Sequence, residues 1–232
     1  MLKFAPLIFA IAYAFAMYHF SVWRTRQMLD RQSHPLRDPE LLALTARLAE
    51  AQGIATLTVH VFDVPQVNGL AASDGRIFLT EGFVQKYRDG AVSAEEMASV
   101  IAHELGHVAL GHTRRRMVDV TGANALFVVL ATLLSRFVPL IGALVANALA
   151  TALMARLSRK AEFEADAYAS ALLIKAGIGT APQTSLFAKL AAFTGQQAEP
   201  PAWLRSHPST ADRVAAIAAN AARWQGAKGG DG

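Results

Sequence analysis

His103-Glu104-Leu105-Gly106-His107 is the stretch whose reading decides the fold. Upstream, Ser93-Ala94-Glu95-Glu96 reads as a capping box, a serine N-cap with glutamate three positions on, so a helix opens there and runs to about Gly111. On such a helix two histidines four apart project from one face and can grip one ion. Glu104, one step on, reaches a water beside that ion without occupying the metal. A zinc ion lowers the pKa of its water from about 15.7 to about 7. Glu104 is then placed to take the proton and pass it to a leaving amine. The expectation is one Zn2+ per chain and a hydrolytic site. Two histidines on a surface helix face are the plainer alternative.

A catalytic zinc normally takes three protein ligands and keeps one position open. His112 is expected not to be the third, because on a continuing helix it lies about 180° around from His103. It reads as a polar residue at the helix end. Downstream, Glu162-Phe163-Glu164-Ala165-Asp166 falls in a second helical stretch. Glu162 and Asp166 share a face, so one can bind zinc while the other orients a ligand histidine. Glu164 points elsewhere and is expected to be solvated or paired with Arg159 or Lys160. Spacing favours Glu162 over Glu164 as a ligand without deciding between them.

These two segments, His103 to His107 and Ser158 to Asp166, resemble the M48 family of gluzincin metallopeptidases, whose pattern is a His-Glu-x-x-His helix followed by a Glu-x-x-x-Asp helix. The resemblance implies that Glu162 is the third metal ligand and Asp166 its supporting partner. Val67-Asn68-Gly69-Leu70 is similar to the family's Asn-containing strand, which precedes a Gly-bearing turn and the substrate-binding edge strand. Gly69 departs from the alanine that many members carry, which leaves the metal site untouched. Ser206-His207-Pro208-Ser209, followed by Arg213, is similar to the family's Ser-His-Pro motif. The resemblance runs from about residue 39 to 222. It implies a zincin-type domain, endopeptidase activity on polypeptides and a part in membrane protein quality control.

Attack on a peptide carbonyl creates an oxyanion that a donor must meet, and His207 and Asn68 are the candidates. His207-Pro208 also begins a helix, so a local turn histidine is the competing account. His207 filling zinc's fourth position in a resting state, until substrate displaces it, is a further reading. Ile77-Phe78-Leu79-Thr80 is expected to present an unpaired edge to which an extended peptide adds as a strand. Ordinary internal sheet is the alternative for that segment.

Outward from the site, the chain of 232 residues suffices for one domain and an appendage. Pro39-Glu40 opens a helical pattern with Leu41, Leu42, Leu44, Leu48 and Ala51 on one side and Gly53 as its stop. Thr56 to Phe62 alternates like a half-buried strand. Val67 to Ala71 and Ile77 to Thr80 flank the turn Ser73-Asp74-Gly75-Arg76. The expected fold class is α+β, mostly helical, with a small antiparallel sheet and a short helix from Gly82 to Tyr87. The Gly-rich residues 226–232 read as a disordered tail.

Apolar residues make up 53% and charged ones 17%, the latter well under the usual quarter or so. The apolar excess sits in residues 4–23 and 123–156. Phe4 to Phe20, with Trp23 beyond, is just long enough to span a bilayer, so residues 1–30 read as a membrane anchor. A signal peptide cut after Ala14-Phe15-Ala16 is the alternative, against which Met17 to Phe20 continue the apolar run. Lys3 precedes the segment and Arg24, Arg26, Arg31 and Arg37 follow it, which places the protease domain in the cytoplasm rather than on the extracytoplasmic face. Residues 31–38 read as a linker and 39–225 as the peptidase domain. The run 123–156, interrupted by Arg136 and Pro139, is too short for two crossings of about 20 residues each plus a turn. It reads as an apolar helical hairpin that packs over the site or dips into a leaflet, with two spans or a buried bundle as rivals.

The formal charge is +4, but no basic stripe is interleaved with aromatics, which argues against nucleic acid and for an anionic lipid surface. The absence of cysteine excludes disulfides and Cys-type zinc sites. The expected partners are polypeptide substrates, unfolded or membrane-associated, and membrane lipid. Two rivals remain: another zinc hydrolase such as an aminopeptidase, and a zinc-stabilised chaperone or scaffold that binds unfolded chains. The second has no need of Glu104.

Overall fold

The computed structural model describes residues 5–72, 74–138, 141–196, 207 and 211–228. Lys3, Phe4, Ser73, Pro139, Ser206, Pro208, Ser209 and residues 229–232, all named above, lie outside that set.

A first helix, α1 (Ala5–Arg31), ends by docking Leu29 against Phe62 and Phe78 of the sheet, while Tyr13, Phe15, Phe20 and Trp23 stand exposed. Helix α2 (Pro39–Gln52) starts where Asp38 accepts hydrogen bonds from the amides of Glu40 and Leu41, with Pro39 in the first turn, where its missing N–H costs nothing. It stops at Gly53, whose φ of 78° is the left-handed conformation that a helix end favours. Leu41, Leu44 and Leu48 go into the core, as their spacing predicts, whereas Leu42, expected on the same side, is one step around the helix and stands exposed.

The sheet differs from expectation in two ways. Its four strands are β1 (Ser33–Pro35), β2 (Val59–Phe62), β3 (Gly69–Ala71) and β4 (Ile77–Thr80), in the order β1-β2-β4-β3. It is mixed rather than antiparallel, because β4 runs parallel to β2 and antiparallel to β3. The Asp74-Gly75 turn does join β3 to β4, but the returning strand enters between β2 and β3. Ile77, Phe78 and Leu79 are therefore fully buried and paired on both sides, not a free edge. The edges are β3 and β1, and β1 comes from residues read as linker. Pro35 suits an edge strand, which has one unpaired side.

After α3 (Glu81–Arg88), helix α4 (Ala94–Ala109) carries the paired histidines. Its capping box is formed: the Glu96 amide donates to Ser93 Oγ at 3.2 Å and the Ser93 amide to Glu96 Oε2 at 2.8 Å. Buried Glu96 also accepts from Lys189 Nζ and Ser185 Oγ of α7 (Ala181–Gln196). Burial opposes its charge, but those bonds hold its carboxyl below the ordinary range. Met97, Val100 and Ile101 then seat α4 at the centre of the core.

Helices α5 (His112–Phe137) and α6 (Gly142–Lys175) pack along each other. A Cβ at Gly142 would stand 2.4 Å from the Ser135 backbone nitrogen, so only glycine permits that crossing. Val128, Leu133, Phe137, Leu144 and Leu149 are exposed along the pair. Among the described residues, Val118–Phe137 is the helical stretch long and apolar enough to cross a membrane. The lower half of α6 turns inward and crosses α4 at Gly106, where a Cβ would lie 3.1 Å from the Ala165 carbonyl oxygen. That close approach sets Glu162 and Asp166 opposite His103. Helix α8 (Ala211–Lys228) is the last described element and continues through Gly226, so the described part of the expected tail is helical.

Candidate metal centre

His103, His107, Glu162 and His207 each offer one ligand atom, and these atoms all lie within 4.8 Å of one another. His103 Nε2 is 3.1 Å from His107 Nε2 and 3.5 Å from Glu162 Oε2, and His107 Nε2 is 3.5 Å from Glu162 Oε1. A tetrahedral ion with ligands at about 2.0–2.1 Å holds them about 3.3 Å apart. The two imidazoles and the carboxylate therefore fit a zinc ion without rearrangement. His207 Nδ1 lies 3.4 Å from His103 Nε2 and 3.0 Å from Glu162 Oε2, which makes it a fourth candidate donor beside these three. Its Nε2 lies 3.4 Å from Glu104 Oε1, a buried oxygen with no hydrogen bond among the described residues.

Asp166 accepts from His103 Nδ1 at 3.0 Å, leaving Nε2 to face the ligand cluster. Arg213, 1% exposed, grips Asp166 with Nε and Nη2 at 2.6 and 2.9 Å and reaches Glu162 Oε2 with Nη1 at 3.2 Å. Its guanidinium lies over the Phe187 ring. A planar fork of donors meeting a carboxylate two-fold is a strong, orienting contact. The sequence shows Arg213 only as a motif member, and nothing in its spacing reveals that α8 returns to this point.

The electrostatics follow from these contacts. Burial alone would depress the His103 imidazolium, but hydrogen bonds to Asp166 and Glu162 outweigh it and raise its pKa to about 9. Burial and the charge of His103 push His107 down to about 3, which keeps it neutral, the form that binds metal. Burial works against ionised Glu162 and Asp166. Hydrogen bonds from His103 and His207 in the first case, and from His103 and Arg213 in the second, hold both well below the carboxylate range.

One expectation fails behind His107. Helix α4 stops at Leu110, Gly111 takes a φ of 65°, and His112 opens a new helix. The helical angle drawn through His112 therefore does not apply. His112 is buried, with Nδ1 2.9 Å from His107 Nδ1 and Nε2 3.1 Å from Glu164 Oε2. Glu164 is paired, with Arg115 Nη1 at 2.8 Å and Lys160 more loosely at 3.7 Å. Gly111 was the available signal, since glycine directly after a helical run commonly ends it.

A cleft of about 700 Å³ opens onto these groups. Asn68, Gly69, Leu70 and Ala71 form one wall, so the edge strand β3 borders the site where β4 was expected to. Met154, Ala155 and Leu157 of α6 contribute to its lining. The Asn68 main chain is pinned to the Thr80 hydroxyl, and its Oδ1 is buried without a hydrogen bond among the described residues. A Cβ on Gly69 would meet Val100 Cγ1 at 2.7 Å, so β3 packs on α4 too closely for alanine unless Val100 moves.

The sequence profile of Peptidase family M48 matches residues 35–221. Metalloprotease LoiP of Escherichia coli (strain K12) is 31% identical over 154 residues, covering 66% of this chain and 58% of LoiP. Metalloprotease YcaL of the same organism is 29% identical over 179 residues, covering 73% of this chain and 65% of YcaL. Metalloendopeptidase OMA1, mitochondrial, of Homo sapiens is 26% identical over 164 residues, covering 67% of this chain and 30% of OMA1. The matched region is thus less than two-thirds of each of these relatives. The profile takes in both helices of the candidate metal centre, the edge strand and most of α8, and the family typically implies zinc, which the donor spacing accommodates. The chain belongs to peptidase family M48.

Proposed function

We propose that the chain is a membrane-anchored zinc endopeptidase that cleaves unfolded or membrane-associated polypeptides. The observation that carries the proposal is the spacing of His103, His107 and Glu162 as three tetrahedral donors, with the Glu104 carboxylate beside them. When bound, zinc supplies Lewis-acid chemistry, polarising a carbonyl and lowering the pKa of water. Glu104 takes the proton of the attacking water and delivers it to the departing amine. Asp166 and Arg213 keep His103 turned toward the metal. Asn68, on the cleft wall, and His207 are the donors for the oxyanion. The nearness of His207 Nδ1 to His103 and Glu162 supports a resting state in which it fills the fourth position and swings aside to admit a carbonyl. A substrate in extended form adds to the edge of β3 that no described strand pairs, where backbone pairing tolerates many sequences.

Membrane attachment is supported by two apolar features, the exposed aromatics of α1 and the exposed apolar side chains of the α5–α6 pair. In this reading residues 1–30 anchor the chain, with the peptidase domain, residues 39–225, in the cytoplasm. The α5–α6 pair enters the near leaflet and brings the cleft to the bilayer surface, suiting it to quality control of membrane proteins. The relatives named metalloproteases and metalloendopeptidase support the activity; the apolar surfaces support the location.

One preparation tests both halves. The full chain in isolated membranes should resist extraction at alkaline pH and should cut an unstructured polypeptide within the chain. A zinc chelator should stop cleavage and added zinc should restore it. Binding of the polypeptide without any cut would favour the chaperone reading, release of single terminal residues would favour an aminopeptidase, and full extraction would remove the anchor.

A further inference from the structure

We infer that His112 is a positioning residue for the metal ligand His107, through a hydrogen-bonded relay of His107, His112, Glu164 and Arg115 that runs from the metal centre to the rim of the cleft. The inference rests on the reading of His107 as a ligand. An imidazole that gives Nε2 to a metal carries its proton on Nδ1 and needs an acceptor there to fix its ring. For His103 that acceptor is Asp166. For His107 the group in reach is His112 Nδ1, at 2.9 Å.

Two nitrogens at that distance share one proton, so His112 accepts at Nδ1 and carries its own proton on Nε2. That N–H points at Glu164 Oε2, 3.1 Å away, and Arg115 Nη1 holds the same oxygen at 2.8 Å. Each donor in the chain has one acceptor, and the tautomers of both rings are determined from the carboxylate inward. A neutral imidazole is suited to this place, because it accepts at one end, donates at the other and is rigid between. It also adds no further negative charge to a site that already holds Glu104, Glu162 and Asp166.

The backbone makes this possible. Gly111 in the left-handed region ends α4 and redirects the chain, so His112 returns beneath His107 instead of continuing around the helix. The relay also reaches outward: His112, Arg115 and Glu164 all line the cleft that receives the substrate.

The test is zinc affinity of the full chain, measured by competition with a chromogenic chelator, with the metal-free melting temperature recorded for each variant. His112→Phe removes both hydrogen bonds and should weaken zinc binding about 10- to 100-fold. His112→Asn places an amide oxygen where Nδ1 stood and should recover most of that loss, a rescue that mere filling of space does not produce. If His112→Phe does not fold, Glu164→Ala at the half-buried end carries the test, with a loss of roughly 10-fold expected. Parent-like affinity in His112→Phe, or in Glu164→Ala where that variant carries the test, overturns the inference, as does an equal loss in His112→Asn and His112→Phe. A parent chain that binds no zinc overturns the metal centre itself, and the relay with it.

Discussion

Glu104→Gln is expected to keep its zinc and to lose peptide-bond cleavage by about 10²- to 10⁴-fold. The amide has the shape of the carboxylate but cannot accept a proton from water. Glu104 Oε1 makes no hydrogen bond among the described residues and only faces His207 Nε2 at 3.4 Å, so the change breaks no hydrogen bond there and the fold should tolerate it. The measurement is turnover of an unstructured polypeptide together with zinc content per chain. Unchanged turnover with full zinc would assign the proton transfer to another group. Lost turnover with lost zinc would show that Glu104 holds the site together instead of acting in it. The same variant, tagged and expressed in cells, should accumulate uncut substrates.

Arg213→Ala is expected to cost about 3–5 kcal/mol, because it leaves two buried carboxylates without the cation that balances them. Arg213→Lys should recover only part, since an ammonium cannot make the two-fold contact with Asp166. The measurement is the denaturant midpoint of the metal-free chain. The pH dependence has a definite sign. Asp166 and Glu162 have depressed pKa values in the folded chain, so their contribution is present above the ordinary carboxylate range and is lost as pH falls through the folded values. His103 is raised to about 9, so its contribution is full below about 6.5 and is lost as pH rises toward 9. His107 works in the opposite direction, because its depressed folded value costs stability as pH falls below about 6.5, so the network stabilises the metal-free chain most near pH 6.5. In Arg213→Ala the acid limb of unfolding should shift to higher pH, because the two carboxyls lose the charge that keeps them ionised. An unshifted acid limb would mean that Arg213 packs there without governing their charge.

The helix that carries His103 and His107 is legible because its signals are local. The capping box at Ser93, the four-residue spacing of His103 and His107, and the spacing of Glu162 and Asp166 all depend on one helix at a time. What escaped was set by distant contacts. The place of β4 between β2 and β3 depends on a parallel pairing with β2, which no turn residue announces. The edge role therefore passed to β3, and Ser33 to Pro35, read as linker, became the opposite edge. His112 was set aside on a helical angle that one glycine invalidates. Arg213 stands far along the chain from Asp166, and only the return of α8 shows why a buried arginine belongs there.

His103, His107 and Glu162 are expected to hold one zinc ion next to Glu104. The most direct measurement is anomalous diffraction at the zinc edge from crystals of the zinc-loaded Glu104→Gln chain. One peak is expected, about 2.0–2.2 Å from His103 Nε2, His107 Nε2 and a Glu162 oxygen, with His207 or a water in fourth place. A peak held instead by His112 and Glu164, or no peak among these residues in a chain shown to be folded, would contradict it.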